Sequence, residues 1–254
     1  MPISVTDKSG LGFSYSPCVF STSTTPDKRR ACFRVRKVLE GIVYDTVALE
    51  DNPFTFPEVK TLLEGITVGG HRVSDANQIL NQAASWQELL RQVEAGAFEF
   101  DAANFKVLHA LVAREEALTW GVFRDDQVSI AGTEYVPPQH TELDAIFEQG
   151  RQILLSIADI HERAIATFLF GALNQFFYDG NKRTARLMMN GQLLSAGRDV
   201  ISTPARRKEE FNREMIRFYD SRDGSNMFTL LAQCSLDPNL RCALDSPQQV
   251  SREN

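Results

Sequence analysis

A chain of 254 residues, 43% apolar and 24% charged, can bury roughly three quarters of its unfolded surface, as one large domain or two small ones. Its net charge of −6 argues against a generic nucleic-acid or membrane-surface binder, which needs a basic excess, so any anion site must be local. The four cysteines, Cys18, Cys32, Cys234 and Cys242, lack metal-ligand spacing and read as free thiols. With no apolar run long enough for a membrane helix and no leader pattern, a cytoplasmic protein is expected.

Residues 1–25 are rich in Ser, Thr, Pro and Gly and read as a flexible arm, with Phe13, Tyr15, Val19 and Phe20 as docking points. From Asp27 to Asp45, Cys32, Val35, Val38, Leu39 and Ile42 recur at helical spacing, and Asn52-Pro53 stops the pattern. A short helix follows near 57–65, ended by Gly65 or by Gly69-Gly70, then a longer one from Ser74 to Gly96 and another from about Asp101 to Ala117. Between Gly121 and Pro138, Val122, Val128, Ile130 and Tyr135 stand among turn residues, a pattern that suits a β-hairpin. Helical patterns resume at 140–157, 162–177, 182–197 and 206–220, with Ile165 to Phe177 apolar nearly all round, as in a central buried helix. The tail beyond residue 236 reads as loose. The fold class expected is therefore all-α with a small β-hairpin.

The stretch QFFYDGNKRTAR at 175–186 concentrates the chemistry. A buried helix runs into a Gly180-Asn181 turn from which a second helix starts, and the N–H groups of a helix start bind anions. Gly180 permits positive φ and lets a phosphate approach closely. Arg183 and Arg186 are three apart on one face, where guanidinium forks can hold phosphates, and Asp179 offers a hard oxygen suited to Mg²⁺. The alternative is a common turn followed by a solvated basic face.

This stretch resembles the signature of the Fic (Fido) proteins, H-P-F-x-[D/E]-G-N-[G/K]-R-x-x-R, at Phe177, Asp179, Gly180, Asn181, Lys182, Arg183 and Arg186. Such proteins transfer AMP from ATP to a protein hydroxyl. The resemblance, spanning roughly residues 50–235, implies a mainly helical bundle with a hairpin flap at about 121–138 that pins a target protein by strand addition. It implies that Asp179 holds Mg²⁺, that the amides of Gly180, Asn181 and Lys182 cradle phosphates, and that Arg183 and Arg186 hold the outer ones. Position 175, Asn181 and Arg183 would form the catalytic set. An arrangement follows of an N-terminal helical region at 26–96, a Fic-like core at 97–236 and a tail at 237–254. Partner classes are a nucleotide, a protein target on the flap and, as an open option, a second copy of the chain. A related pattern, [S/T]-x-x-x-E-[G/N], marks an inhibitory helix whose glutamate pairs with the second motif arginine. Lys60-Thr61-Leu62-Leu63-Glu64-Gly65 fits its end, which makes Glu64 the expected partner of Arg186, with a solvated Glu64 as the alternative.

The departure is at Gln175-Phe176, where the family has His-Pro and uses the histidine as general base. An amide does not titrate near neutral pH, and losing a general base costs a factor of about 10² to 10⁴. His161 stands about 20 Å up its helix from Gln175, whereas His71 and His140 could approach through folding. Three readings remain open: a slow AMP transferase restrained by Glu64, a nucleotide-binding pseudo-enzyme that acts as a regulator, and an adaptor whose flap binds a partner strand.

Overall fold

The computed structural model describes residues 10–16 and 18–244. Helix α1 (Lys28–Ala48) is started by Asp27, whose carboxylate accepts from the Arg30 N–H. It buries Cys32, Val35 and Ile42 as the spacing predicts, but leaves Val38 on the surface. Helix α2 (Phe56–Leu63) opens with a capping box between Thr55 and Glu58. Helix α3 (Val73–Ala95) ends on Gly96 in the left-handed conformation, and α4 (Ala102–Val112) starts on the Asp101 side chain. After α5 (Leu143–Ser156) come α6 (Ile160–Asn174) and α7 (Asn181–Ser195), the central pair, then α8 (Lys208–Ser221) and α9 (Ser225–Ala232). Nearly all of α6 and α7 is buried, which makes them the axis around which the others pack.

The helical fold is as expected, but the strands are elsewhere. Segment 121–138 contains no strand; its two arms are held by side chains, with the Gln127 amide donating to the Pro137 carbonyl (2.9 Å). Strand β1 (Cys18–Ser21) instead pairs antiparallel with β2 (Arg241–Leu244), so segments expected to be loose meet each other. Leu11, Phe13 and Tyr15 are buried. Tyr15 stacks on Phe228 of α9, and Phe13 packs edge-on against Phe218 of α8. Cys32 and Cys234 are free and buried, but Cys242 is disulfide-bonded, correcting the expectation of a free thiol there. Among the described residues no helix is long and apolar enough to cross a membrane.

Candidate active site

The turn from α6 to α7 is bracketed by two left-handed residues, Gln175 (φ 47°) and Gly180 (φ 71°). Gly180 is required twice: its φ disfavours side chains, and an added Cβ would lie 3.2 Å from the Ala113 Cβ. Phe176 and Phe177 are fully buried among Phe105, Phe123 and Phe147 and pin the turn from below. Asn181 closes it. Its Oδ1 accepts from the Phe177 N–H (2.9 Å), and its Nδ2 donates to the Phe177 carbonyl (2.8 Å) and to Gln175 Oε1 (3.0 Å).

Two residues that the sequence reading did not single out hold this turn in place. His109 on α4 is wholly buried and stacks on Phe177 with centroids 3.6 Å apart. The Gly121 N–H donates to its Nδ1 (3.0 Å), so its proton is on Nε2, which lies 2.9 Å from the Asp179 carbonyl. Burial pushes the His109 pKa down to about 4, and the nearby Arg183 adds to the effect. Arg124, 2% exposed, fastens the base of the flap to the turn. Its Nε donates to the Gln175 carbonyl (2.6 Å), its Nη1 to the Asp126 carbonyl (2.7 Å) and its Nη2 to the Pro138 carbonyl (2.5 Å).

Above the turn lies a cavity of about 460 Å³, walled by Ser129, Ile130 and Ala131 of the flap, the α7 start, and Met215 and Tyr219 of α8. Gln175, Asp179, Gly180, Asn181, Lys182 and Arg183 all line it. A larger cleft of about 820 Å³ lies against Tyr135 and shares Tyr219 as a wall, but contains none of these motif residues. Gln175 is spoken for at both polar atoms: Oε1 takes the Asn181 amide, and Nε2 donates to the Ala172 carbonyl (2.6 Å) at the end of α6. None of His71, His140 and His161 lines the cavity. His71 stacks on Phe54 and His161 on Phe20.

The carboxylate next to Arg186 is Glu50, not Glu64, which is exposed at the end of α2. Glu50 Oε1 lies 3.6 Å from Arg186 Nη1, and Oε2 lies 3.1 Å from Lys182 Nζ. Burial alone would push the Glu50 pKa up, but Lys182, Arg186 and Arg183 outweigh it and hold it below the usual carboxylate range. It is ionised at neutral pH. The spacing [S/T]-x-x-x-E is also met at Thr46-Val47-Ala48-Leu49-Glu50, with Asp51 following in place of Gly or Asn. Asp51 has φ 63°, which explains why that position favours Gly or Asn, and the Lys208 ammonium holds its carboxylate at 2.5 Å. Arg186 itself is buried, flanked by the Phe168 and Phe211 rings, and none of its three guanidinium nitrogens has a hydrogen-bond acceptor. Glu50 lines the cavity and Arg186 does not.

Asp179, with its side chain 63% exposed, accepts from the Gly180 N–H (2.5 Å) and lies 3.7 Å from Arg183 Nη2. Among the described residues no group of three or more His, Cys, Asp or Glu could hold a metal. A single exposed carboxylate suits an ion bound mostly through ligand phosphates, as Mg²⁺ is.

Residues 99–193 match the model of the Fic/DOC family. The chain is 25% identical over 218 residues to the protein adenylyltransferase Fic of Drosophila willistoni, an alignment that covers 82% of this chain and 43% of that protein. It thus spans less than half the length of the curated relatives it matches. Among solved structures, Fic-1 of C. elegans superposes with a TM-score of 0.66 at 23% identity, covering 81% of this chain and 62% of that one. A Fic domain containing signaling protein of Bacteroides thetaiotaomicron gives 0.64 at 18% identity, covering 76% of each.

Proposed function

We propose that the chain, whose residues 99–193 match the model of the Fic/DOC family, binds Mg-ATP in the cavity above the α6–α7 turn and transfers AMP slowly to a protein hydroxyl. The observation that carries this reading is the cavity lining, where the α7 start at Gly180 and Asn181 and the cations Lys182 and Arg183 border one space. Buried Arg186 pairs with Glu50 at 3.6 Å, beyond hydrogen-bond distance, so displacing Glu50 would leave a desolvated cation for a phosphate to complete. In the reaction, the acceptor oxygen forms a bond to the α-phosphorus, the bond to the β-phosphate oxygen breaks, and pyrophosphate leaves. Arg183 and Lys182, which line the cavity, would meet that leaving charge, and Asp179 would hold Mg²⁺, which neutralises phosphate charge when bound. Gln175 cannot take the hydroxyl proton, because its amide is non-basic and both polar atoms are engaged. That proton goes to water, and positioning and electrostatics supply the rest of the rate.

Glu50 restrains this activity. Lys182, Arg183 and Arg186 are matched by Asp179, Glu116 and Glu50, so a polyphosphate gains net attraction only when Glu50 leaves. A second reading, a nucleotide-binding regulator without chemistry, is favoured by the engagement of Gln175 in the turn. Labelling with α-phosphate-labelled ATP and magnesium, on the protein itself and in a lysate, separates the two. Glu50→Gly is expected to label slowly, and Glu50→Gly with Gln175→His about 10² to 10⁴ times faster. Labelling only by the double variant would favour the regulator; labelling by neither would refute the transferase.

A further inference from the structure

Two glutamates touch the motif arginines, and they lie on opposite sides of the cavity wall. Glu50 lines the cavity. Glu116, in the turn after α4, does not line it, yet its Oε2 accepts from Arg183 Nη1 at 2.8 Å, with the two side chains 13% and 3% exposed. Arg183 does line the cavity. Its contact with Glu116 is therefore made from behind and does not occupy the side that faces a ligand.

Glu116 is itself held. Gln78 of α3 donates from Nε2 to Glu116 Oε2 (3.0 Å), and Asn81 lies 3.5 Å from Oε1. The Gln78 amide is oriented in turn by Asn52, whose Nδ2 donates to Gln78 Oε1 (3.0 Å). Asn52 stands two residues after Glu50, in the same turn. One chain of hydrogen bonds thus runs from the Glu50 turn through α3 to the back of Arg183.

We infer that Glu116 is a positioning residue that aims Arg183 into the cavity, and that the Asn52–Gln78–Glu116 relay ties this aim to the turn carrying Glu50. The two carboxylates have opposite effects: Glu50 competes with an anionic ligand, whereas Glu116 readies Arg183 for one. A charge-assisted bond to Nη1 restricts the guanidinium without engaging its other nitrogens, of which Nη2 lies 3.7 Å from Asp179, and so lowers the ordering cost on binding.

The inference rests on the phosphate-binding reading of the cavity, and its test has one arm independent of it. The side-chain Nε–Hε signal of Arg183, assigned with Arg183→Lys, is expected to be rigid in the unaltered chain and mobile in Glu116→Gln. Gln78→Leu, which cuts the relay without changing charge, is expected to loosen it less. In a Glu50→Gly background, Glu116→Gln is expected to weaken Mg-ADP binding by about tenfold in calorimetry, with Glu116→Asp intermediate. An Arg183 signal equally rigid in Glu116→Gln would overturn the inference, as would unchanged or tighter Mg-ADP binding. Should Glu50→Gly bind no Mg-ADP at all, the nucleotide reading falls, while the rigidity of Arg183 still decides the role of Glu116.

Discussion

Replacing His109 with glutamine keeps one donor and one acceptor near the Asp179 carbonyl and the Gly121 amide but removes the titrating ring. In the folded chain His109 has a pKa of about 4 against an ordinary value of 6.5. As pH falls from 6.5 to about 4, the unfolded chain takes up a proton on this ring that the folded chain refuses. The folded state therefore loses stability over that window, by about 3 kcal/mol in all, and the loss levels off below it. Urea denaturation followed by tryptophan fluorescence at a series of pH values gives the two stability curves. Their difference isolates His109, because the other titrating groups are common to both proteins. Glutamine is expected to cost stability at pH 7 through poorer packing on Phe177, and to lose less than the parent on acidification. Parallel curves between pH 4 and 6.5 would refute the argument, as would a His109 ring carbon signal with its midpoint near 6.5.

Arg124→Met leaves three carbonyls without their donor, so a loss of about 4 kcal/mol is expected. Proteolysis within 121–138 should become faster; an unchanged cleavage rate would show that the flap does not depend on this guanidinium. A pair of glycine variants should move in opposite directions. A Cβ on Gly150 would stand 2.2 Å from the Phe170 ring, whereas one on Gly41 in α1 meets nothing within 4 Å. Gly150→Ala is expected to lose about 1–2 kcal/mol and Gly41→Ala to gain about 0.5–1 kcal/mol in chemical denaturation. Equal signs would contradict the packing described.

What the sequence makes legible is what acts locally. The α6–α7 turn declares itself in consecutive residues, because an apolar helix, a glycine that needs positive φ and a basic helix start are neighbours in the chain. Helix α9 escaped because its eight residues, SNMFTLLA, are barely two turns and too few to establish a period. The 121–138 segment alternates like a hairpin, but Arg124 and Gln127 satisfy carbonyls that a ladder would have used. Glu50 went unrecognised because Asp51 fills the left-handed position where Gly or Asn is the usual signal, and Glu64-Gly65 offers a better-spelled decoy. His109, Glu116 and Arg124 meet the motif across 51 to 70 positions of sequence, so neither periodicity nor spacing could point to them. Phe13 and Tyr15 were legible as docking residues, but the surfaces of α8 and α9 that receive them lie far along the chain and were not.

The guanidinium of Arg124 works as a bolt through both feet of a handle. One foot begins at Asp126 and the other ends at Pro138, and the same side chain is screwed into the turn at Gln175. The span between the feet can change in length or composition while the anchorage stays in register with the turn beneath it. The segment above the cavity is thereby gauged against a fixed datum, and its sequence can diverge without re-engineering the floor of the cavity.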